Sequence, residues 1–356
     1  MKLSLMKKAA IGSVIFSAVA MGSILYLSAG KVITISDVAQ DEVQRNASSV
    51  QNEGTAKEQV LSFASGEADT SYLRIPLPDE CRAEDIVIEN HYMDQELCIQ
   101  VKGSDAAFYE EHAISGNRET VKRGIFEEIK GGINLRFMLT DIFEYRTILE
   151  NNDLYISFLT PREMYDRIVV IDPACGGSNM GYVADHVQEK TINLQIAQKL
   201  KEKLDKTDIK AYYTRMDDVN PGEEDRVKLA NGTRADMYIR IQLDWDEDDS
   251  LYGATVVYNG EYFIPGFGSV ELADLLEREV VTSIKGKALG FVEAGPEEYT
   301  IKHVTIPAAA IKAGCLSNRQ EAILLEREDY QEKIASGIYN TIMKAYEEAE
   351  IDGRKG

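Results

Sequence analysis

The 356-residue chain has little histidine, only 4 residues, so a site built from several imidazoles has few places to be assembled. Cysteine is equally scarce at 4, too few for a disulfide scaffold. There is a single tryptophan, and 8 prolines with 26 glycines exclude a collagen or a long low-complexity linker. Cations are short as well: 39 Lys and Arg stand against 60 Asp and Glu, a net charge of −21. That balance excludes a nucleic-acid backbone as partner and broad electrostatic adhesion to anionic lipid. What is present is a 44% hydrophobic chain, enough for packed cores, with a length that suits two domains.

The N-terminus places Lys2, Lys7 and Lys8 before an uncharged run from Ala9 to Ala29. As a helix this run spans about 31 Å, close to the ~30 Å hydrocarbon core of a bilayer. The preceding lysines predict a cytoplasmic N-terminus, a single-pass anchor in the cell membrane within residues 1–35, and an extracytoplasmic globular part. The alternative is a cleaved signal peptide, with Ser28-Ala29-Gly30 as a weak cleavage site. The run is longer than the usual ~7–15 residues of such a segment. Residues 36–70 are polar and read as a stalk, and 350–356 as a polar tail.

Two globular regions follow. Residues 71–160 alternate apolar and polar in short runs, such as Leu97-Cys98-Ile99-Gln100-Val101 and Ile133-Asn134-Leu135-Arg136-Phe137. Period-2 runs broken by Gly, Asp and Asn predict a separate small antiparallel β domain. From Arg167 to Tyr346 strand-like runs alternate with amphipathic helices. Ile168-Val169-Val170-Ile171 suits a buried strand, and Ile192, Ile196, Leu200 and Leu204 share one helix face. Residues 167–349 are thus expected to form an α/β unit, a largely parallel sheet flanked by helices, with ligands at the carboxyl ends of its strands.

At those strand ends stand Val170-Ile171-Asp172-Pro173-Ala174-Cys175-Gly176-Gly177, then Glu189 opening a helix, then Thr214-Arg215. Arg226 with Asn231, Ala235-Asp236 through Arg240-Ile241-Gln242, and Ile306-Pro307 through Gly314-Cys315-Leu316-Ser317-Asn318 complete the pattern. In order and spacing it resembles the type 3 class of zinc-dependent N-acetylmuramoyl-L-alanine amidases, bacterial cell-wall hydrolases. The resemblance implies a zinc ion on two histidines and a glutamate, and a second glutamate as general base for the metal-bound water. Zinc would lower the pKa of that water, and the base would take its proton. Carried over position by position, Cys175 and Gln242 replace the two histidines and Glu189 is the retained ligand. Lys312 occupies the general-base position. No cofactor is therefore expected, with zinc implied only if an active site has been rearranged.

Several readings stay open at this level. The protein is a membrane-anchored pseudo-amidase that binds peptidoglycan or a cell-wall enzyme, with Arg215 and Trp245 as cleft contacts. Alternatively it is an active amidase using Cys175, Glu189 and a water-bridged Gln242, or a structural scaffold in an envelope complex. An ion pair between Lys312 and Glu189 is expected. His186 is a candidate third ligand, or a base for Cys175. His303 reads as structural, and His91 and His112 have no ligand-spaced partner in sequence. Asp244-Trp245-Asp246-Glu247-Asp248-Asp249 is either a cation loop or a solvated one. Disulfide pairing among Cys81, Cys98, Cys175 and Cys315 is open.

Overall fold

The computed structural model describes residues 59–64, 71–262 and 264–348. The anchor expected within residues 1–35 and the tail at 350–356 lie outside the described residues. Among the described residues no helix is long and apolar enough to cross a membrane.

The first unit comprises β1 (Gln59–Val60), β2 (Tyr72–Pro76), β3 (Ile86–His91), β4 (Glu96–Lys102), α1 (Ala106–Glu111), β5 (Val121–Ile129), β6 (Gly132–Leu139), β7 (Glu144–Glu150) and β8 (Asp153–Leu159). One sheet runs β1-β5-β6-β4-β3 and the other β2-β8-β7. All these pairs are antiparallel. Alternation sends Ile88, Leu97, Ile99, Leu135 and Phe137 of one sheet against Leu73, Ile75, Leu154 and Ile156 of the other, forming one core. The stalk expected over 36–70 needs correction at its end. Gln59 and Val60 pair with Phe126 and Ile125, and Leu61 is buried in the β core. Leu61 and Phe63 recruit the segment, with Gly124 leaving Leu61 room.

The short α2 (Pro161–Met164) leads into the second unit. There β9 (Ile168–Pro173), β10 (Val183–Ala184), β11 (Val187–Gln188), α3 (Glu189–Leu204), β12 (Lys210–Tyr213), α4 (Glu223–Gly232), β13 (Met237–Asp244) and β14 (Ala254–Tyr258) follow in order. Then come α5 (Ser269–Ile284), β15 (Ala288–Glu293), α6 (Tyr299–His303), β16 (Ala308–Cys315), α7 (Arg319–Leu325) and α8 (Glu328–Glu348). The main sheet is six-stranded, β12-β9-β13-β16-β14-β15. Neighbours are parallel except β14 and β16, which are antiparallel. Val169 and Ile171 of β9 face a core shared with α3, α5 and α8. Ile168 and Val170 face the opposite core with Tyr238, Leu229 and Ile301. Burial on both faces is why β9 reads as an unbroken apolar run.

The two units meet at the β3–β4 turn. Tyr92 packs edge-on against Tyr212, with ring centroids 4.9 Å apart. Beside them the buried Glu144 accepts from Tyr92 Oη at 3.1 Å and from the Tyr212 hydroxyl, and pairs with Lys210 at 3.0 Å. Replacing Glu144 with Ala leaves an ammonium and two hydroxyls without that acceptor. The expected loss is about 2–3 kcal/mol in urea unfolding of the full chain.

Candidate functional site

The carboxyl end of β9 carries a fully buried carboxylate, Asp172. It accepts from Arg226 of α4, from Arg240 Nη1 of β13 at 3.0 Å, and from the Tyr238 and Thr214 hydroxyls. Burial alone would raise its pKa. The guanidiniums of Arg226 and Arg240, with the two hydroxyls, overcome that and bring it down to about 2. Arg240 also reaches Thr300 Oγ1 at 2.9 Å and Glu223 at 3.4 Å. Arg215, expected to contact ligand in the cleft, instead donates to the backbone carbonyls of Pro173, Ala174, Lys190 and Asp217. It is buried, because a loop turning away from a strand end leaves carbonyls that only a many-donor side chain can satisfy. It is a staple for the loop.

After Asp172 the chain turns through left-handed backbone at Cys175, Gly176 and Gly177. Gly176 is required there, since a Cβ would fall 1.9 Å from the Val219 carbonyl oxygen. Glu189 opens α3, where the helix dipole favours a carboxylate. Its oxygens accept from Tyr182 N at 3.0 Å, Leu243 N at 3.0 Å and Asn193 Nδ2 at 3.3 Å. Glu189 and Cys175 close on the same neighbour: a Cβ on Gly181 would lie 2.4 Å from Glu189 Oε2 and 2.8 Å from Cys175 Sγ. Burial, with Glu189 alongside, pushes the Cys175 thiol up to about 12.

Gln242 and Lys312 are register partners across β13 and β16. Lys312 Nζ lies 3.6 Å from both Asp244 and Glu298. Gln242 Nε2 donates to Glu298 Oε2 at 3.4 Å, and Gln242 Oε1 is buried without a protein partner. Burial pulls the Lys312 pKa down, but Asp244 and Glu298 more than offset it, so Lys312 is a firm cation at neutral pH. The expected Lys312–Glu189 ion pair is not formed. Strand alternation puts Lys312 on the sheet face of Ala308 and Ala310, whereas α3 packs on the other face.

The remaining candidates separate. His186 pairs with Glu326 at 2.9 Å and so completes neither a metal set nor a dyad with Cys175. His303 stacks on Tyr299, with ring centroids 3.9 Å apart. All four cysteines are free. In the acidic run, Asp246 and Asp248 accept backbone amides of the loop itself. Trp245 is exposed at the rim and stacks with Tyr182, ring centroids 6.0 Å apart. Sequence reasoning missed Tyr182 and Glu298. Glu298 precedes a short helix among several acids and nothing in its spacing singles it out. Tyr182 has a weak signal, an aromatic held between Gly181 and the segment leading to Glu189.

Residues 169–344 match the family profile described as N-acetylmuramoyl-L-alanine amidase. The germination-specific N-acetylmuramoyl-L-alanine amidase of Bacillus subtilis is 30% identical over 226 residues, which is 59% of this chain and 91% of that protein. A solved N-acetylmuramoyl-L-alanine amidase from Clostridium difficile 630 is 30% identical with a TM-score of 0.48, covering 53% of this chain and 98% of that one. The CwlD amidase from Clostridioides difficile, solved in complex with the GerS lipoprotein, is 28% identical with a TM-score of 0.47, covering 51% of this chain and 98% of that one.

The donors at the family's zinc position do not fit the metal. Gln242 is a neutral amide, a poor zinc donor where the resemblance has an imidazole. An ammonium then occupies the strand position beside Gln242.

The scaffold rests instead on Asp172, and Asp172→Asn is expected to cost about 3–5 kcal/mol by removing the counter-charge of buried Arg226 and leaving Arg240 only its 3.4 Å contact with Glu223. Because the folded pKa lies below the ordinary 3.8, this contribution is present above that value and lost as pH falls towards 2. Urea unfolding between about pH 5 and 2 should show a steep acid limb in the wild type and a flatter one in the variant.

Proposed function

Since this chain belongs to the N-acetylmuramoyl-L-alanine amidase family, we propose that it is a non-catalytic member, which binds peptidoglycan at the strand ends where its relatives cut it. The observation that carries this reading is Lys312, whose ammonium lies 3.6 Å from both Asp244 and Glu298, at the strand position where the resemblance puts the general base. A firm cation there takes no proton from a water and repels a metal ion. Gln242, its register partner, offers an amide oxygen in place of an imidazole.

The same groups suit binding. Peptidoglycan presents pyranose rings and peptide amides. Tyr182 and Trp245 offer stacked, exposed aromatic faces at the rim, with Met180 and Val183 exposed on the same approach. Export and anchoring through residues 9–29 belong to the same proposal, placing the α/β unit outside the cell membrane where its ligand is.

The only tryptophan in the chain is Trp245, so its emission reports this rim alone. Titrating soluble muropeptides into the full chain should shift that emission saturably. Tyr182→Ala should weaken the interaction by about tenfold, the loss of roughly 1.4 kcal/mol of ring contact. A wild-type protein that neither changes emission nor co-sediments with purified sacculi overturns the reading.

A further inference from the structure

The outer face of the five-stranded sheet holds a second cluster of donor groups. In the β3–β4 hairpin, Glu89 is the register partner of Cys98, and His91 that of Glu96. Residues two apart on a strand share a face, so the four side chains form a square on one side of the hairpin. One donor atom each from His91, Glu96 and Cys98 lies within 4.8 Å of the others. Cys98 Sγ is 3.3 Å from Glu96 Oε1, and His91 Nε2 is 3.3 Å from Glu89 Oε2. Tetrahedral zinc, with bonds of about 2.0–2.3 Å, needs ligand atoms about 3.3–3.8 Å apart. The cluster is within about 1 Å of that arrangement.

We propose that Cys98, His91 and Glu96 bind one zinc ion on the outer face of this hairpin, with the fourth position left to water and Glu89 beside His91. The donor chemistry selects zinc over calcium or magnesium, which avoid sulfur and imidazole. The surroundings supply what a site needs beyond its ligands. Arg136 of β6 donates to both oxygens of Glu96 at 3.1 and 3.0 Å, orienting that carboxylate while leaving it lone pairs for a metal. The Cys98 thiolate and the Glu96 carboxylate in the site, with Glu89 beside it, carry three negative charges, which Zn2+ and Arg136 balance. Binding breaks the S–H bond of Cys98 and forms an S–Zn bond, releasing the proton to solvent. His91 is partly exposed and, with Glu89, lines a cavity of about 900 Å³ between the two units, which gives the ion a way in.

The position gives the ion a role. His91 is followed by Tyr92, which packs on Tyr212 and bonds Glu144 at the junction of the units. Zinc on the hairpin stiffens the turn that docks the β unit onto the α/β unit. All seven residues of β4 also pair with β6, so the site is braced from both sides.

Cobalt(II) is the probe, because a thiolate–cobalt bond gives a near-ultraviolet charge-transfer band. Titration of the metal-free full chain should raise that band to one equivalent, and zinc should displace it. Cys98→Ser should abolish the band, and Cys175→Ser should leave it unchanged. His91→Ala, on the sheet surface, should weaken cobalt binding at least about tenfold with an unchanged circular dichroism spectrum. That variant keeps the test valid if Cys98→Ser fails to fold. No band in the wild type overturns the proposal, as does a band insensitive to His91→Ala. A band lost in Cys175→Ser and retained in Cys98→Ser overturns it too, and with it the non-catalytic reading of the strand-end site.

Discussion

A single buried carboxylate organises the α/β unit. Asp172 sits at zero exposure, where an unpaired charge is not tolerated, so each of its lone pairs must meet a donor. Those donors come from α4, from β13 and from Thr214, the residue that follows β12. Satisfying one aspartate therefore fixes the spacing of the central strands and the height of α4 above them. The turn at Cys175, the start of α3 and the end of β13 are carried on that frame. None of the donors to Asp172 stands at a position where the resemblance puts a zinc ligand, so the frame does not depend on a metal there.

That independence explains how the strand ends have been rewritten while the architecture holds. Glu189 keeps its place because two backbone amides and Asn193 hold it, whether or not a metal is near. Across the sheet, Lys312, Asp244, Glu298 and Gln242 form a closed polar set with one cation at its centre. A glutamate in place of Lys312 would put a third carboxylate beside Asp244 and Glu298. The lysine neutralises a region that is otherwise strongly acidic.

Much of the fold was legible in the sequence because burial leaves periodic traces. Ile168 to Ile171 are apolar without a break since both sheet faces are covered, and the β unit alternates because each sheet has one wet face. Leu61 was hidden in a polar stretch, so the stalk was drawn too long. The contacts of the candidate site were much less legible. The partners of Lys312 come from a turn at Glu298 and from the end of its neighbour strand, and no spacing rule joins residues 312, 298 and 244. The expected pairing with Glu189 failed because proximity to a strand end says nothing about which face a side chain leaves from. Arg215 stood in the pattern as a cleft residue, but the carbonyls it satisfies exist only once the loop has folded. His91 has no ligand-spaced partner along the chain. Its neighbours Glu96 and Cys98 arrive across a hairpin whose register sequence alone does not set.

The central claim is that the strand-end site binds without cutting. Its most direct test is to incubate the full chain, with zinc supplied, with purified peptidoglycan and measure released stem peptides by mass spectrometry. The account predicts no release above a metal-only control. Release that zinc chelation stops and Glu189→Ala abolishes would contradict it.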